Sequence, residues 1–325
     1  MRKVAGISYE PKKLLADAAL CIKNGFLMKW PNATVLMCYF HVSVKVDERV
    51  KKDFSDENVR KMVKDDFYLL QLATSPEVFQ KASKYFIKKY AFNESFVNYF
   101  EKEWLRKNPN WFEGAAKLTP STQCAQESKH GKIKQTFTDN ERTSMHEMKE
   151  MTFEILHNFS LDLNHQKPYE IKPKLPDKLF EQAYEMIKMK PIIMRDPSDN
   201  EDDEETENWW ISANKSETLT TRKIKNAKEL KWSSFDDYKL KNFAVFHIQV
   251  NKEWTVKVLC SCRDFLKNFQ CIHSVAMSVN KKFMIVPAEV KQRVREKSQH
   301  QIQLPNNRKK PRGRPKKAQP ALIIQ

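Results

Sequence analysis

Apolar and polar positions in the first forty residues predict a strand, a helix and a second strand. Residues 12–16 form a short apolar stretch that ends at Asp17, and residues 18–29 carry apolar side chains at helical spacing. Pro31 and Asn32 break that helix, and residues 33–39 are apolar on both faces, as in a buried strand. Strand, helix and strand in this order favour a parallel βαβ unit, so an α/β fold is expected here.

The pattern then becomes helical. Helices are predicted over residues 56–73, 76–92 and 93–107, with Ser55 as the cap of the first and Ser75 as the cap of the second. In the third helix, aromatic residues recur on one stripe, which is typical of core packing. Further helices are predicted over residues 140–159 and 177–190.

From residue 243 onward the hydrophobic pattern changes from helical spacing back to that of strands. Residues 243–250 and 254–259 are predicted strands, and a helical pattern starts at His273. The expected unit is therefore ββα.

Four metal-ligating residues lie in this unit, with the spacing CxCx8CxH. They are Cys260, Cys262, Cys271 and His273. Thiolate and imidazole are the donors that zinc prefers, and four protein ligands leave no open coordination position. We therefore expect one structural Zn²⁺ per chain. The alternative is a group of three buried cysteines beside a hydrogen-bonded histidine.

This spacing resembles the SWIM zinc finger, and all four ligand positions match that motif. The resemblance covers roughly residues 240–285. It implies a ββα SWIM finger, through which a protein partner could also bind.

A second resemblance covers roughly residues 8–160. The string that joins Asp17, the proline-asparagine break and the CxxH motif of Cys38 and His41 resembles a Mutator-like (MULE) transposase domain. That family has an RNase H-like fold with helical insertions and a catalytic triad of two aspartates and one glutamate. The resemblance implies that Asp17 is the second carboxylate, although a lone Cys and His beside a strand are usually core residues.

The third carboxylate of the family lies in a segment that Thr122, Glu127 and Ser128 match. Gln123, Cys124 and His130 stand where the family usually has asparagines. Glu127 is therefore a candidate catalytic residue, with a solvated helix glutamate as the alternative.

The family's first aspartate lies on a strand well upstream of the second. Sixteen residues precede Asp17 here, and none of them is an aspartate. Two-metal phosphoryl chemistry needs carboxylates that hold both cations. We expect a partial RNase H-like domain in which Asp17 and Glu127 are vestigial, and the chain is not expected to be catalytic alone. A longer chain that supplies the first aspartate would instead be an active DDE transposase.

Composition points to a polyanionic partner. The 325 residues carry 58 Lys and Arg against 41 Asp and Glu, a formal charge of +17. Six cysteines without a signal peptide fit a reducing compartment, and no apolar run is long enough to predict a membrane span. The five glycines are dispersed, which excludes GxGxxG and Walker-type phosphate loops.

Charge is clustered at two places. Residues 196–207 are strongly acidic and are interpreted as a solvated linker, whereas residues 308–317 carry seven basic residues and no acid. The core of the basic segment, Pro311 followed by Arg312, Gly313, Arg314 and Pro315, resembles an AT-hook. Such a segment is disordered in isolation and inserts arginines into the A·T-rich minor groove. A nuclear-localisation signal or a nonspecific polybasic tail is the alternative.

Four regions are expected. They are a partial MULE-like domain (1–160), a helix and acidic linker (161–208), a SWIM region (209–290) and a disordered basic tail (291–325). The predicted function is that of a nuclear, zinc-binding and DNA-binding protein derived from a transposase. A SWIM adaptor that binds a protein partner is the third hypothesis.

Overall fold

A computed structural model of the chain describes residues 10–139, 141–161, 175–189, 191, 193–196, 205–214 and 217–303. Within these ranges the fold is mixed α/β, mostly helical, with two small sheets. None of the helices in the described ranges is long and apolar enough to cross a membrane.

The predicted βαβ unit is present at the start of the described chain. Strand β1 (Lys13–Ala16) pairs in parallel with β2 (Thr34–Met37), and helix α1 (Leu20–Lys29) connects them. The register runs from Lys13 opposite Thr34 to Ala16 opposite Met37. Because parallel strands end at the same edge, the residues that follow β1 and β2 lie side by side.

A helix that the sequence analysis did not predict begins directly after β2. Helix α2 (Tyr39–Asp53) buries Val42, Val46 and Val50 on one face. These valines recur every four residues, so the helical signal was present. The strand pattern of the preceding segment concealed it.

The three helices that follow were predicted, with small differences at their ends. Helices α3 (Glu57–Gln71) and α4 (Pro76–Lys89) precede α5 (Glu94–Phe100), which continues as a π-helical segment over Glu101–Lys107. Asp56, rather than Ser55, caps α3 by accepting a hydrogen bond from the Asn58 amide. A carboxylate at this position also interacts favourably with the positive end of the helix dipole.

The aromatic stripe of the third predicted helix packs in the core, as expected. Phe96 and Phe100 are fully buried, and Trp104 is almost so. Phe86 and Trp111 complete this aromatic cluster, with ring centroids 5.0 Å and 6.1 Å from that of Phe100.

Seven further α-helices, some of them short, follow the π-helical segment, and an eighth ends the described chain. They are α6 (Cys124–Phe137), α7 (Met145–Leu161), α8 (Asp177–Lys188), α9 (Thr221–Glu229), α10 (Phe235–Asn242), α11 (Arg263–Asn268) and α12 (Ile272–Asn280). The eighth is α13 (Ala288–Gln303), so the expectation of a disordered tail over 291–325 is wrong for residues 291–303, which are helical.

The second sheet has four antiparallel strands in sequential order. Strands β3 (Ile193–Arg195), β4 (Thr206–Ser212), β5 (Val245–Asn251) and β6 (Val258–Cys260) pair each with the next. Of these only β5 was predicted nearly as a whole, and of the predicted strand 254–259 only the last two residues belong to β6. The ββα unit is therefore the edge of a larger sheet. Helix α8 packs against α12 on this sheet.

The interpretation of the acidic run as a solvated linker is wrong at both of its described ends. Asp196 is buried, and its carboxylate accepts hydrogen bonds from Trp210 Nε1 at 2.9 Å and Lys228 Nζ at 3.0 Å. Thr206 and Glu207 belong to β4. Paired in this way, a buried carboxylate does not need solvent.

Helix α10 joins the second half of the chain to the helical core of the first. Phe235 and Tyr238 are buried in that core, and the Tyr238 hydroxyl donates to the Leu69 carbonyl at 3.0 Å. Beside them, the fully buried Asp66 forms ion pairs with Lys89 at 2.8 Å and with Lys239 at 2.7 Å. The two halves are therefore held by apolar packing and by paired charges.

Candidate metal centre

Three element ends converge on the CxCx8CxH residues. Cys260 is the last residue of β6, Cys262 is the N-cap of α11, and Cys271 is the N-cap of α12. His273 follows in the first turn of α12. The short helix α11 therefore lies between the two ligand pairs, where the sequence analysis placed no element.

Phe269 reverses the chain between these pairs. It ends α11 with φ of 57°, in the left-handed region. A non-glycine residue there costs about 1–2 kcal/mol. The reversal directs the next residues back toward β6, which is how Cys271 reaches Cys260.

The four ligand atoms form one compact group. All lie within 4.8 Å of one another, and His273 Nδ1 is 3.8 Å from the sulfurs of both Cys260 and Cys271. A tetrahedral zinc with ordinary Zn–S and Zn–N lengths separates sulfur from nitrogen by about 3.6 Å. A group with this donor set and these separations could hold a metal ion.

The group is closed off from water. The three cysteines are at most 4% exposed, and His273 is half-buried. Backbone amides also point at the sulfurs, from Cys262 to Cys260 Sγ at 3.4 Å and from Ser274 to Cys271 Sγ at 3.3 Å. N–H donors favour the thiolate form, which is the form that binds metals.

Without a cation the three thiols cannot all ionise. Burial raises the pKa of Cys260 well above its ordinary value, and the two neighbouring thiols add to this. At Cys262 a hydrogen bond with Cys260 lowers the pKa, but interaction with Cys271 and burial outweigh it and raise the pKa to about 12. Burial opposes ionisation of Cys271 as well, yet its hydrogen bonds with Cys260, Cys262 and His273 lower its pKa. A divalent cation would stabilise all three thiolates together.

The cysteines are also part of an apolar core. Ile248, Val258, Phe265 and Val275 are buried around them, and Met186 of α8 packs against the same cluster. The four candidate ligands thus lie at the centre of the module formed by the second sheet, α8, α11 and α12, which we call the sheet module.

Asp17 and Glu127, the two candidate catalytic residues, have different partners in the structure. Asp17 follows β1, and its Oδ1 accepts a hydrogen bond from the Ala19 amide at 3.1 Å. Glu127 lies in the first turn of α6, 3.4 Å from His41 Nε2. Ligand atoms of Cys38, His41 and Glu127 lie within 4.8 Å of one another, and Asp17 does not belong to that group.

The sequence analysis named these residues but did not bring them together. The CxxH spacing puts Cys38 and His41 on one side of the first turn of α2, whereas Glu127 comes from a distant helix. No local pattern connects the two elements. The remaining candidates, Arg312, Gly313, Arg314 and Pro315, lie outside the described residues.

Comparison of the chain with protein-family models, with curated proteins and with solved structures found no match.

Proposed function

We propose that this is a zinc-binding protein that contacts DNA and does not itself cleave it. The observation that carries the proposal is the buried group of three cysteines and one histidine at the centre of the sheet module. Its thiolate-rich donor set suits zinc, and its four ligands leave no position for a substrate. One structural zinc per chain would therefore hold β6, α11 and α12 together. The spacing supports assignment of the module as a SWIM-type finger.

The distribution of positive charge supports a nucleic-acid partner. Removing the seven basic residues of 308–317 from a net charge of +17 leaves +10 on the rest of the chain. Part of this charge lies on α6, where Lys129, Lys132 and Lys134 are exposed and form no ion pair among the described residues. Unpaired lysines on one helix are available to phosphates.

The proposed origin of the N-terminal part is a partial RNase H-like domain of the MULE type. The parallel βαβ unit and the helices after it are compatible with that origin. Glu127 Oε1 lies 3.4 Å from His41 Nε2, and Asp17 does not belong to the group that Glu127 forms with Cys38 and His41. This arrangement supports a vestigial role for both residues.

The experiment that tests DNA contact measures affinity for duplex DNA as a function of salt concentration. Each phosphate neutralised contributes about −0.9 to the slope of log K against log salt. If the tail engages about three to five phosphates, deletion of residues 305–325 should flatten the slope by about three to four. Unchanged affinity after deletion would show that the tail does not bind DNA.

A matched pair of double variants separates the AT-hook from a polybasic patch. Arg312→Ala with Arg314→Ala removes two charges, as does Lys309→Ala with Lys310→Ala. Only the first pair should lose more affinity on A·T-rich than on G·C-rich duplex, because arginines favour the narrow minor groove of A·T tracts. Equal losses on both duplexes would assign the tail a nonspecific role. A fluorescent fusion that stays nuclear only with the tail would support nuclear import by the same segment.

A further inference from the structure

The cluster of Cys38, His41 and Glu127 lies outside the candidate metal centre and brings together three different metal-binding side chains. The thiol, imidazole and carboxylate each place a ligand atom within 4.8 Å of the other two. Cys38 is fully buried, while His41 and Glu127 are about one-third exposed. The cluster is thus closed on the side of the sulfur and open toward solvent on the other.

The backbone holds these residues in place from both sides. The Cys38 amide donates to the Ala16 carbonyl at 2.8 Å, which fixes the end of β2 against β1. The Tyr39 amide donates to the Ser121 carbonyl at 2.8 Å, and the Gln123 amide points at Cys38 Sγ from 3.4 Å. The start of α6 is therefore anchored on the start of α2 before any ligand binds.

Glu127 Oε1 accepts a hydrogen bond from Gln123 Nε2 at 3.0 Å, whereas the His41 ring is only partly satisfied by the protein. His41 Nδ1 is buried and has no hydrogen-bond partner among the described residues. His41 Nε2 is 3.4 Å from Glu127 Oε1, which is longer than an ordinary N–H···O bond. A tetrahedral zinc with ordinary Zn–N and Zn–O lengths separates its nitrogen and oxygen ligands by about 3.4 Å, so Nε2 and Oε1 already lie at the spacing of two ligands.

We propose that Cys38, His41 and Glu127 bind a second zinc ion. Sulfur, nitrogen and oxygen from three residues are the donors of a tetrahedral zinc site whose fourth position is taken by water. Magnesium is disfavoured, because it requires oxygen ligands in an octahedral arrangement and a thiolate is a soft donor. The ion would join α6 to the end of the βαβ unit.

The test is the zinc content of the purified full-length chain. Wild type should contain two zinc ions per chain, and Cys38→Ser, His41→Gln and Glu127→Gln should each lose one or release it to a chelator at far lower concentration. Cys124→Ser is the matched control, because Cys124 starts the same helix but does not belong to the cluster. Asp17→Asn should also leave the content unchanged, whereas loss of the ion in that variant would favour a carboxylate site.

Cobalt substitution distinguishes this site from the one at Cys260. Charge-transfer absorption from one thiolate should vanish in Cys38→Ser and persist in Cys271→Ser, which disrupts only the other site. Circular dichroism checks that His41→Gln, at a half-buried position, remains folded. A single zinc per chain in folded wild type, or equal loss in Cys124→Ser and Cys38→Ser, would overturn the proposal.

Discussion

Replacing Cys271 by serine separates metal binding from helix capping, because this residue has two roles. Its sulfur belongs to the Cys₃His group, and it also caps α12 in a reciprocal arrangement with Ser274. The Ser274 amide donates to Cys271 Sγ at 3.3 Å, and the Cys271 amide donates to Ser274 Oγ at 3.1 Å. Serine is among the best N-cap residues, so Cys271→Ser should keep the cap and lose only the metal ligand.

The size of the effect follows from the energetics of structural zinc. Apparent binding free energies in small zinc modules are about 10–16 kcal/mol, shared among four ligands. Loss of one quarter is about 2.5–4 kcal/mol, which weakens zinc binding by about 60- to 700-fold, since each 1.4 kcal/mol is tenfold. Cys271→Ala should destabilise the module by a further ~1 kcal/mol, because it also removes the cap.

Hydrogen exchange identifies the elements whose amides lose protection when zinc is lost. Zinc removal or Cys271→Ser should expose amides of β5, β6 and α12, together with α8, since all contribute to the apolar cluster around the cysteines. Helix α10 should stay protected, although it directly precedes β5, because Phe235 and Tyr238 are buried in the helical core instead.

The control is Cys21→Ser, which removes an exposed cysteine far from the group and should change neither zinc content nor protection. If Cys271→Ser kept wild-type zinc affinity and the same protected amides, the assignment of the ligands would be refuted. If α10 lost protection together with β5, the assignment of α10 to the helical core and of β5 to the sheet module would be wrong.

Two other predictions concern the helical part. Gly114→Ala should destabilise the chain by about 1–3 kcal/mol in denaturant unfolding, since a Cβ there would overlap the backbone of the turn before α4. Gly131 lies in α6 with open space around it, so Gly131→Ala should be neutral or stabilise the chain by up to about 1 kcal/mol. A larger loss of stability in Gly131→Ala than in Gly114→Ala would contradict the argument that the backbone approaches Gly114 closely. The chain should show no Mg²⁺- or Mn²⁺-dependent nicking or strand transfer on plasmid DNA, and metal-dependent activity that Asp17→Asn abolishes would revive the transposase hypothesis.

Local signals account for the parts of the fold that the sequence predicted. The βαβ unit was visible from apolar runs separated by a proline-asparagine break, and α4 from a serine cap followed by Pro76. All four residues of the Cys₃His group that the structure brings together were named from the sequence, because they lie close together in the chain and their residue types restrict the chemistry.

The unpredicted elements depend on contacts between distant segments. Strand β4 follows an acidic run, and its Trp210 becomes buried only because β5 pairs beside it and Asp196 accepts its indole N–H. The Cys38, His41 and Glu127 cluster likewise exists only because α6 docks on α2. Hydrophobic periodicity carries no information about either pairing.

Contacts between distant segments also connect the candidate metal centre to the helical core. The candidate ligand Cys262 is the N-cap of α11, and Lys267 of this helix reaches Glu113 at 2.7 Å and Gln71 at 2.5 Å in the other half of the chain. Glu113 is buried and forms its ion pair with this lysine, and removing the partner of a buried charge is costly. Loss of zinc would release α11, withdraw Lys267 and leave Glu113 with Gln71 as its hydrogen-bond partner. The helical core should therefore remain folded without metal but be measurably less stable, because the sheet module neutralises a charge that the core buries.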